Sequence, residues 1–367
     1  MSKTSDLRAT IYYLIPSVVA NALPIVSLPF LTRVLTPADF GLIALAQVFG
    51  LVVFGVANLG LTTAYERDFF KYRDDAAKSG ALYWSCYGFI LAVGSFFTLL
   101  AHFGAPWVDR WVFHAESPKY FVALAAIGAL VRGLNQIGYQ YLRNSEWPRP
   151  FVAISIFEGV SGFAVTLFLV VGLRWGPLGA IVGQTVAPVF AAFLLALFVS
   201  RRLKIAWDAF LLKEALKLGA PVTPKVFLGL ASGQLDKYLL GFVSALGEVG
   251  IYSLAQRAGQ VVYFLMNSMD YVFIPKVYKW MFESRQLETE GRHEEASEVA
   301  RRIGAYLTPF IYSSCGISLS IALISEDVFK FLTTETFQAA ILIAPILCLF
   351  YSTMIFGKVN GRQIVFA

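Results

Sequence analysis

Charge-free stretches far longer than a soluble fold tolerates constrain this chain more than anything else in it. Residues 9–32, 40–65, 79–108, 175–200, 303–325 and 336–357 hold no Asp, Glu, Lys or Arg. Each meets the ~20 residues with which a helix crosses ~30 Å of hydrocarbon. Inside lipid every backbone amide and carbonyl must find a partner within the protein, so only helices and closed barrels span. These are long apolar blocks rather than short alternating strands, which excludes a barrel. An all-α, polytopic membrane protein follows. Composition agrees: of 367 residues, 57% are hydrophobic and only 15% charged, more apolar surface than a single core hides. The first apolar run is too long for a secretory signal and has no small-residue cleavage pattern before Pro24 and Pro29, so it reads as a retained helix.

With interrupted runs included, hydropathy predicts ten spans, at about 10–33, 41–64, 80–102, 120–141, 151–172, 178–199, 219–241, 250–272, 303–324 and 337–356. The connections alternate sharply in charge. Those on the N-terminal side of the membrane carry twenty-one Lys and Arg and the opposite set carries five, Arg33, Arg110, Lys119, Arg174 and Lys330. Basic connections stay in the cytoplasm, so the N-terminus is expected there. The net charge of +6 is then topology rather than a nucleic-acid surface. Two strongly polar stretches stand out, 66–78 and 281–302; the second has helical charge spacing and is expected to be a solvated cytoplasmic helix. Cys86, Cys315 and Cys348 lie in apolar runs, where a small buried thiol is the expected reading. His102, His114 and His293 are scattered, with no spacing that suggests a metal site or a catalytic base.

One segment is written twice. LTRVLTPADFGLIALAQ starts at Leu31 and ALGEVGIYSLAQ at Ala245, and the stretches before them align as well, Ile15-Pro16 with Ala220-Pro221. Gly41 then meets Gly250, and Leu45-Ala46-Gln47 meets Leu254-Ala255-Gln256. Six predicted spans separate the copies, so the repeat is parallel, with an axis along the membrane normal. Two lobes are expected: an N-terminal one at 1–205 with helices 1 to 6, and a C-terminal one at 206–367. The first span of each is rich in proline, Pro16, Pro24 and Pro29 in one, Pro221 and Pro224 in the other. Proline removes a donor and crowds the preceding turn, so these helices should bend where protein or water can satisfy the released carbonyls.

The proline-rich first helix followed by L-T-R-V-L-x-P-x-D-F-G-L-x-A-L-A-Q resembles the bacterial polysaccharide exporters of the O-antigen flippase type, within the superfamily that contains the multidrug and toxin extruders. G-Q-L-D-K-Y-L-L-G, from Gly233 to Gly241, with the G-E-V-G-I-Y-S-L-A-Q after it, is similar to that family's seventh and eighth helices. The likeness covers essentially the whole chain. It implies a MATE-like, V-shaped transporter of two helix bundles. Its activity would be the movement of undecaprenyl-diphosphate-linked oligosaccharide, an O-antigen or other surface polysaccharide unit, from the inner to the outer leaflet of the bacterial cytoplasmic membrane by alternating access. Implied partners are that lipid-linked oligosaccharide, membrane lipids, and a polysaccharide polymerase with its chain-length machinery. The family has at least twelve helices, whereas this chain supplies ten and a closing VNGRQIVFA that reads as the start of an eleventh, so the second lobe is expected to be incomplete.

Charges inside the spans cost ~2.5 kcal/mol or more each near the bilayer centre and call for a reason. They are Arg132, Glu158, Lys225, the Asp236-Lys237 pair, Arg257 and Asp270. A diphosphate headgroup needs fixed cations along a watery path, and guanidinium binds phosphate bidentately. Arg132 and Arg257, with Lys225, Lys237 and the neighbouring Asn135, Gln136 and Gln256, are therefore the candidate substrate-binding residues. Lys225, Lys237 and Asp270 lie close enough to span ends to snorkel instead, and Glu158 could simply pair with Arg132. Asn21 and Asn58 would add donors for sugar hydroxyls. Glu158 and Asp236 are candidates for taking up a proton or sodium ion to couple transport to a gradient. No cofactor, nucleic-acid partner or enzyme constellation is indicated; the connection at 101–119 offers Asp109, Glu116 and two histidines without a recognisable arrangement. The competing reading within the same fold is a drug or metabolite antiporter, which would line its cavity with carboxylates.

Overall fold

The computed structural model describes residues 3–366, with side chains described outside 1–14, 17, 225–232, 267–276, 278, 282 and 355–367. Among these residues the chain is helical, without strands. The helices are α1 (Lys3–Leu31), α2 (Pro37–Asn58), α3 (Leu61–Lys71), α4 (Ala76–Phe103), α5 (Ala105–Val108), α6 (Phe121–Asn144), α7 (Pro148–Leu167), α8 (Gly176–Ser200), α9 (Ala209–Ser232), α10 (Leu235–Val243), α11 (Leu246–Thr289), α12 (His293–Leu332) and α13 (Ala340–Phe366). Among the described residues six segments are long and apolar enough to cross a membrane, at 37–58, 76–103, 121–144, 148–172, 176–200 and 293–332, and shorter apolar helices cover 18–31 and 340–354.

Local chemistry explains the punctuation. Asp39 N–H donates to Thr36 Oγ1 at 3.2 Å and Thr36 N–H to Asp39 Oδ2 at 2.8 Å, a reciprocal cap with Pro37 pre-set at the first helical position. Asp75 caps α4, accepting from the Ala77 and Lys78 amides, and the Lys78 amide above all holds its carboxyl below the usual carboxylate range. The second predicted span, 41–64, is in fact two helices. Leu59 and Gly60 adopt left-handed backbone angles, and Asn58 caps the restart, its Oδ1 accepting from Thr62 N–H at 3.1 Å and its amide donating to Thr62 Oγ1 at 3.0 Å. Asn58 therefore serves the helix break, buried, and offers nothing to a sugar hydroxyl.

Three further expectations change. The seventh span, 219–241, is interrupted at Gly233-Gln234, giving α9 and α10. The polar 281–302 stretch is not one helix but the apex of a hairpin: α11 ends at Thr289, Gly291 turns at φ +77°, and α12 begins at His293. The closing VNGRQIVFA continues α13 without a break to Phe366 rather than starting another helix.

The chain forms two compact units, Met1–Gly250 and Ile251–Ala367. In the first, α6 packs against α2, α4 and α8, α7 against α1 and α8, and α9 against α2, α3 and α4. Its core joins Leu130, Leu134 and Ile137 of α6 to Leu82, Cys86 and Ile90 of α4 and Leu195 of α8. Tyr65, Tyr83 and Tyr141 meet edge-to-face inside it. The thiols of Cys86 and Cys348 are buried and that of Cys315 is half-buried, all three free, as their apolar settings imply. In the second unit α12 lies along α13, and Val262, Met266, Ala322, Cys348 and Tyr351 close a smaller core.

The repeated segments meet in the first unit. A Cβ on Gly41 would overlap the Leu246 carbonyl, and one on Gly250 would overlap the Pro37 carbonyl. The alignment that pairs Gly41 with Gly250 also pairs Pro37 with Leu246, so each copy presents its glycine to the other's helix start. Backbone lies against backbone there, which only glycine allows.

Candidate functional site

Proline defines the centre of the site. Pro188 lies inside α8 and has no N–H to give the carbonyl four residues back, which belongs to Gln184. Arg132 of α6 fills that need: its Nη1 donates to the Gln184 carbonyl at 2.7 Å. Gln47 of α2 adds a third helix, its Nε2 donating to Gln184 Oε1 at 2.9 Å. Thr185 Oγ1 reaches the Ile181 carbonyl at 2.8 Å and the Leu124 carbonyl at 3.0 Å. Gly128 leaves room for the cluster, since a Cβ there would crowd Thr185 Oγ1 and sit 3.3 Å from Arg132 Nη1. A small cleft of about 10 Å³ opens on these groups, bordered by Ala46, Gln47, Ala125, Ile181, Gln184 and Thr185 besides Arg132. Arg132 lines it and uses one of its five N–H donors on the protein.

A second polar cluster joins α6 and α8 to α7. Glu158 of α7 accepts from Tyr139 Oη at 2.6 Å and from Asn135 Nδ2 at 3.4 Å. Asn135 Nδ2 also donates to the Pro188 carbonyl at 3.0 Å, while its Oδ1 is buried with no hydrogen-bond partner. Arg132 and Glu158 are not ion-paired. The seven ion pairs among the described residues all lie elsewhere.

Of the residues singled out from sequence, Arg132, Asn135 and Glu158 come together with Pro188 between them. Gln136 is exposed one turn on from Arg132, on the same face of α6. Lys237 is buried, its Nζ donating to Gln234 Oε1 at 2.8 Å, so it does not snorkel, and the Asp236 carboxylate accepts from the Lys237 amide at 2.8 Å. Arg257 is half-buried and Gln256 buried, both in the second unit. The side chains of Lys225 and Asp270 lie outside the described residues. Sequence reasoning missed Gln47, Gln184, Thr185 and Tyr139. Gln47 had a signal, being the last residue of the repeated Leu-Ala-Gln; Gln184 had Pro188 four residues on.

Apolar spans with a buried polar centre define the class: a multi-pass, all-helical membrane protein. The fold is similar to an inward-facing multidrug resistance MATE family transporter of the MOP superfamily, with a TM-score of 0.62 at 15% identity over 98% of this chain and 87% of that one. It is similar also to the MATE transporter VcmN of Vibrio cholerae, in a variant form, with a TM-score of 0.54 at 14% identity over 94% and 80%. An outward-facing MATE family structure aligns with a TM-score of 0.53 at 16% identity over 95% and 80%. A search of curated proteins returned no match. Residues 30–315 match the family described as polysaccharide biosynthesis protein, and the chain belongs to that family.

Proposed function

We propose that this protein is a flippase that carries undecaprenyl-diphosphate-linked oligosaccharide, an O-antigen or other surface polysaccharide unit, from the inner to the outer leaflet by alternating access. Family membership supports a role in polysaccharide export. The observation that carries the anionic lipid headgroup is Arg132. It is a guanidinium in the middle of a spanning helix, at the border of a small polar cleft, steadied by one bond to Gln184, beside two amides and a hydroxyl, with further N–H groups suited to phosphate oxygens. A cation fixed in that way is preorganised for a diphosphate and repels a cationic drug. In this reading the lobes are 1–205 and 206–367, Arg257, Gln256, Lys225 and Lys237 contribute from the second, and Asn135 and Gln136 line the path of the first. The N-terminus faces the cytoplasm, the membrane is the bacterial inner one, and a polymerase with its chain-length machinery receives the product.

The alternative, a drug or metabolite antiporter, draws on one observation: the Glu158 carboxylate held by Tyr139 and Asn135. In the leading reading Glu158 and Asp236 take up a proton or sodium ion that drives the cycle.

Complementation of a flippase-null strain separates these readings. Arg132→Ala with Arg257→Ala should abolish export and leave lipid-linked glycan in the inner leaflet. Full activity of that double variant at normal expression would discard the anionic headgroup assignment.

A further inference from the structure

The ends of α7 and α8 enclose a groove that the transport reading does not use. Pro150, Ala153 and Ile154 form one wall, at the spacing that puts three residues on one helix face. Leu194, Leu197 and Phe198 form the other, continued one turn on by Arg201 and Arg202. The groove measures about 660 Å³ and is open to the surface. Ala153 presents only a methyl group to it, and Leu194 and Leu197 are exposed. A largely apolar channel of this kind between two apolar helices long enough to span is fitted to a hydrocarbon chain.

Its mouth is cationic and rigid. The Arg202 guanidinium stacks 3.7 Å from the Phe198 ring centre and 4.1 Å from that of Trp147, and its Nη1 donates to the Phe198 carbonyl at 3.1 Å. Trp147 and Phe198 meet edge-to-face at 5.3 Å, which holds the platform beneath it. Arg201 is exposed beside it, and Arg149 is exposed one residue before Pro150. The carboxylates at this end are engaged with other cations: Glu66 pairs with Arg143 at 2.9 Å, and Glu146 stands 3.9 Å from Arg73. Among the described residues neither Arg149 nor Arg201 has an acidic partner. Aligned arginines above an apolar channel at a helix end match an acidic lipid, phosphate outward and chain inward.

We propose that this groove is a binding site for an anionic glycerophospholipid, whose headgroup phosphate bonds Arg201 and Arg202 and whose acyl chain lies between α7 and α8. The occupant is a bulk membrane lipid, distinct from transported cargo, so the site stands or falls independently of the flippase reading.

Native mass spectrometry of the full chain released from detergent tests it, with phosphatidylglycerol and phosphatidylcholine of identical acyl chains in competition. The wild type should retain phosphatidylglycerol with a preference of roughly tenfold or more. Arg201→Ala with Arg202→Ala should bring that preference near unity. Ala153→Leu, which fills the channel and leaves both charges, should lower retention of either lipid and show that the chain as well as the headgroup is bound. Equal retention of the two lipids by the wild type would overturn the proposal. So would a preference that survives the double variant, or one displayed only toward a polyprenyl diphosphate. Inorganic phosphate added at millimolar concentration should not displace the lipid; if it did, the site would be an anion site without a chain channel.

Discussion

At the scale of single residues, Pro188 and Arg132 stand in one energetic relation. The proline strips Gln184 of its intrahelical donor, and in an apolar surround an unsatisfied carbonyl costs about 1–3 kcal/mol. Arg132 removes that cost with a bond of 2.7 Å. Arg132→Ala should therefore destabilise the protein by about that amount. Pro188→Ala restores an N–H four residues after Gln184 and removes the need. In a double-mutant cycle the effect of Arg132→Ala should shrink by about 1 kcal/mol or more once Pro188→Ala is present. Melting curves of the purified protein in one detergent would measure it, and additive effects would contradict the pairing. The charge was legible from sequence, because an arginine among apolar residues announces itself. Its partner was not: that partner is a backbone carbonyl 52 positions away, and no side-chain pattern marks a carbonyl. The same limit explains Glu158, for which sequence offered Arg132 as a counter-ion and the structure supplies Tyr139 and Asn135.

At the scale of helices, the duplicated motif turns out to be a contact with itself. Hydropathy located the long apolar helices well, because a span of lipid demands an unbroken apolar run. It could not locate the breaks at Leu59-Gly60 and Gly233-Gln234, since a mid-run break changes backbone angles and caps while leaving hydropathy unaltered. The repeat put Gly41 and Gly250 in register but gave no hint that they face each other. Their crossing makes a sharp expectation. Gly41→Ala and Gly250→Ala each force carbonyl and methyl apart and should lower stability by about 1–3 kcal/mol. Gly304→Ala, in α12 where a Cβ meets nothing, should be neutral or gain up to ~1 kcal/mol from helix propensity. Apparent melting temperatures of the three variants would decide; equal loss at all three would assign the effect to glycine replacement in general and remove the crossing from the account.

At the scale of the whole molecule, the distribution of basic residues and the positions of the helix ends can be tested against each other. Twenty-one of the Lys and Arg belong to connections on one side if α2–α3 and α9–α10 each count as a single broken span. Treating either pair as two spans would reverse every later connection and mix the charges, which the cost of translocating basic segments opposes. The 289–293 hairpin apex and the N-terminus should then share the cytoplasmic side, and the 104–120 connection should face outward. Single cysteines report this directly. Cys86 and Cys348 are buried and stay silent, and Cys315 is removed as Cys315→Ala. An impermeant thiol reagent applied to intact spheroplasts should label Lys119→Cys and leave Glu294→Cys unlabelled until the membrane is opened. The reverse pattern would invert the orientation. Labelling of both in intact cells would mean that an odd number of crossings had been miscounted between them, and α9–α10 would have to be read as two spans.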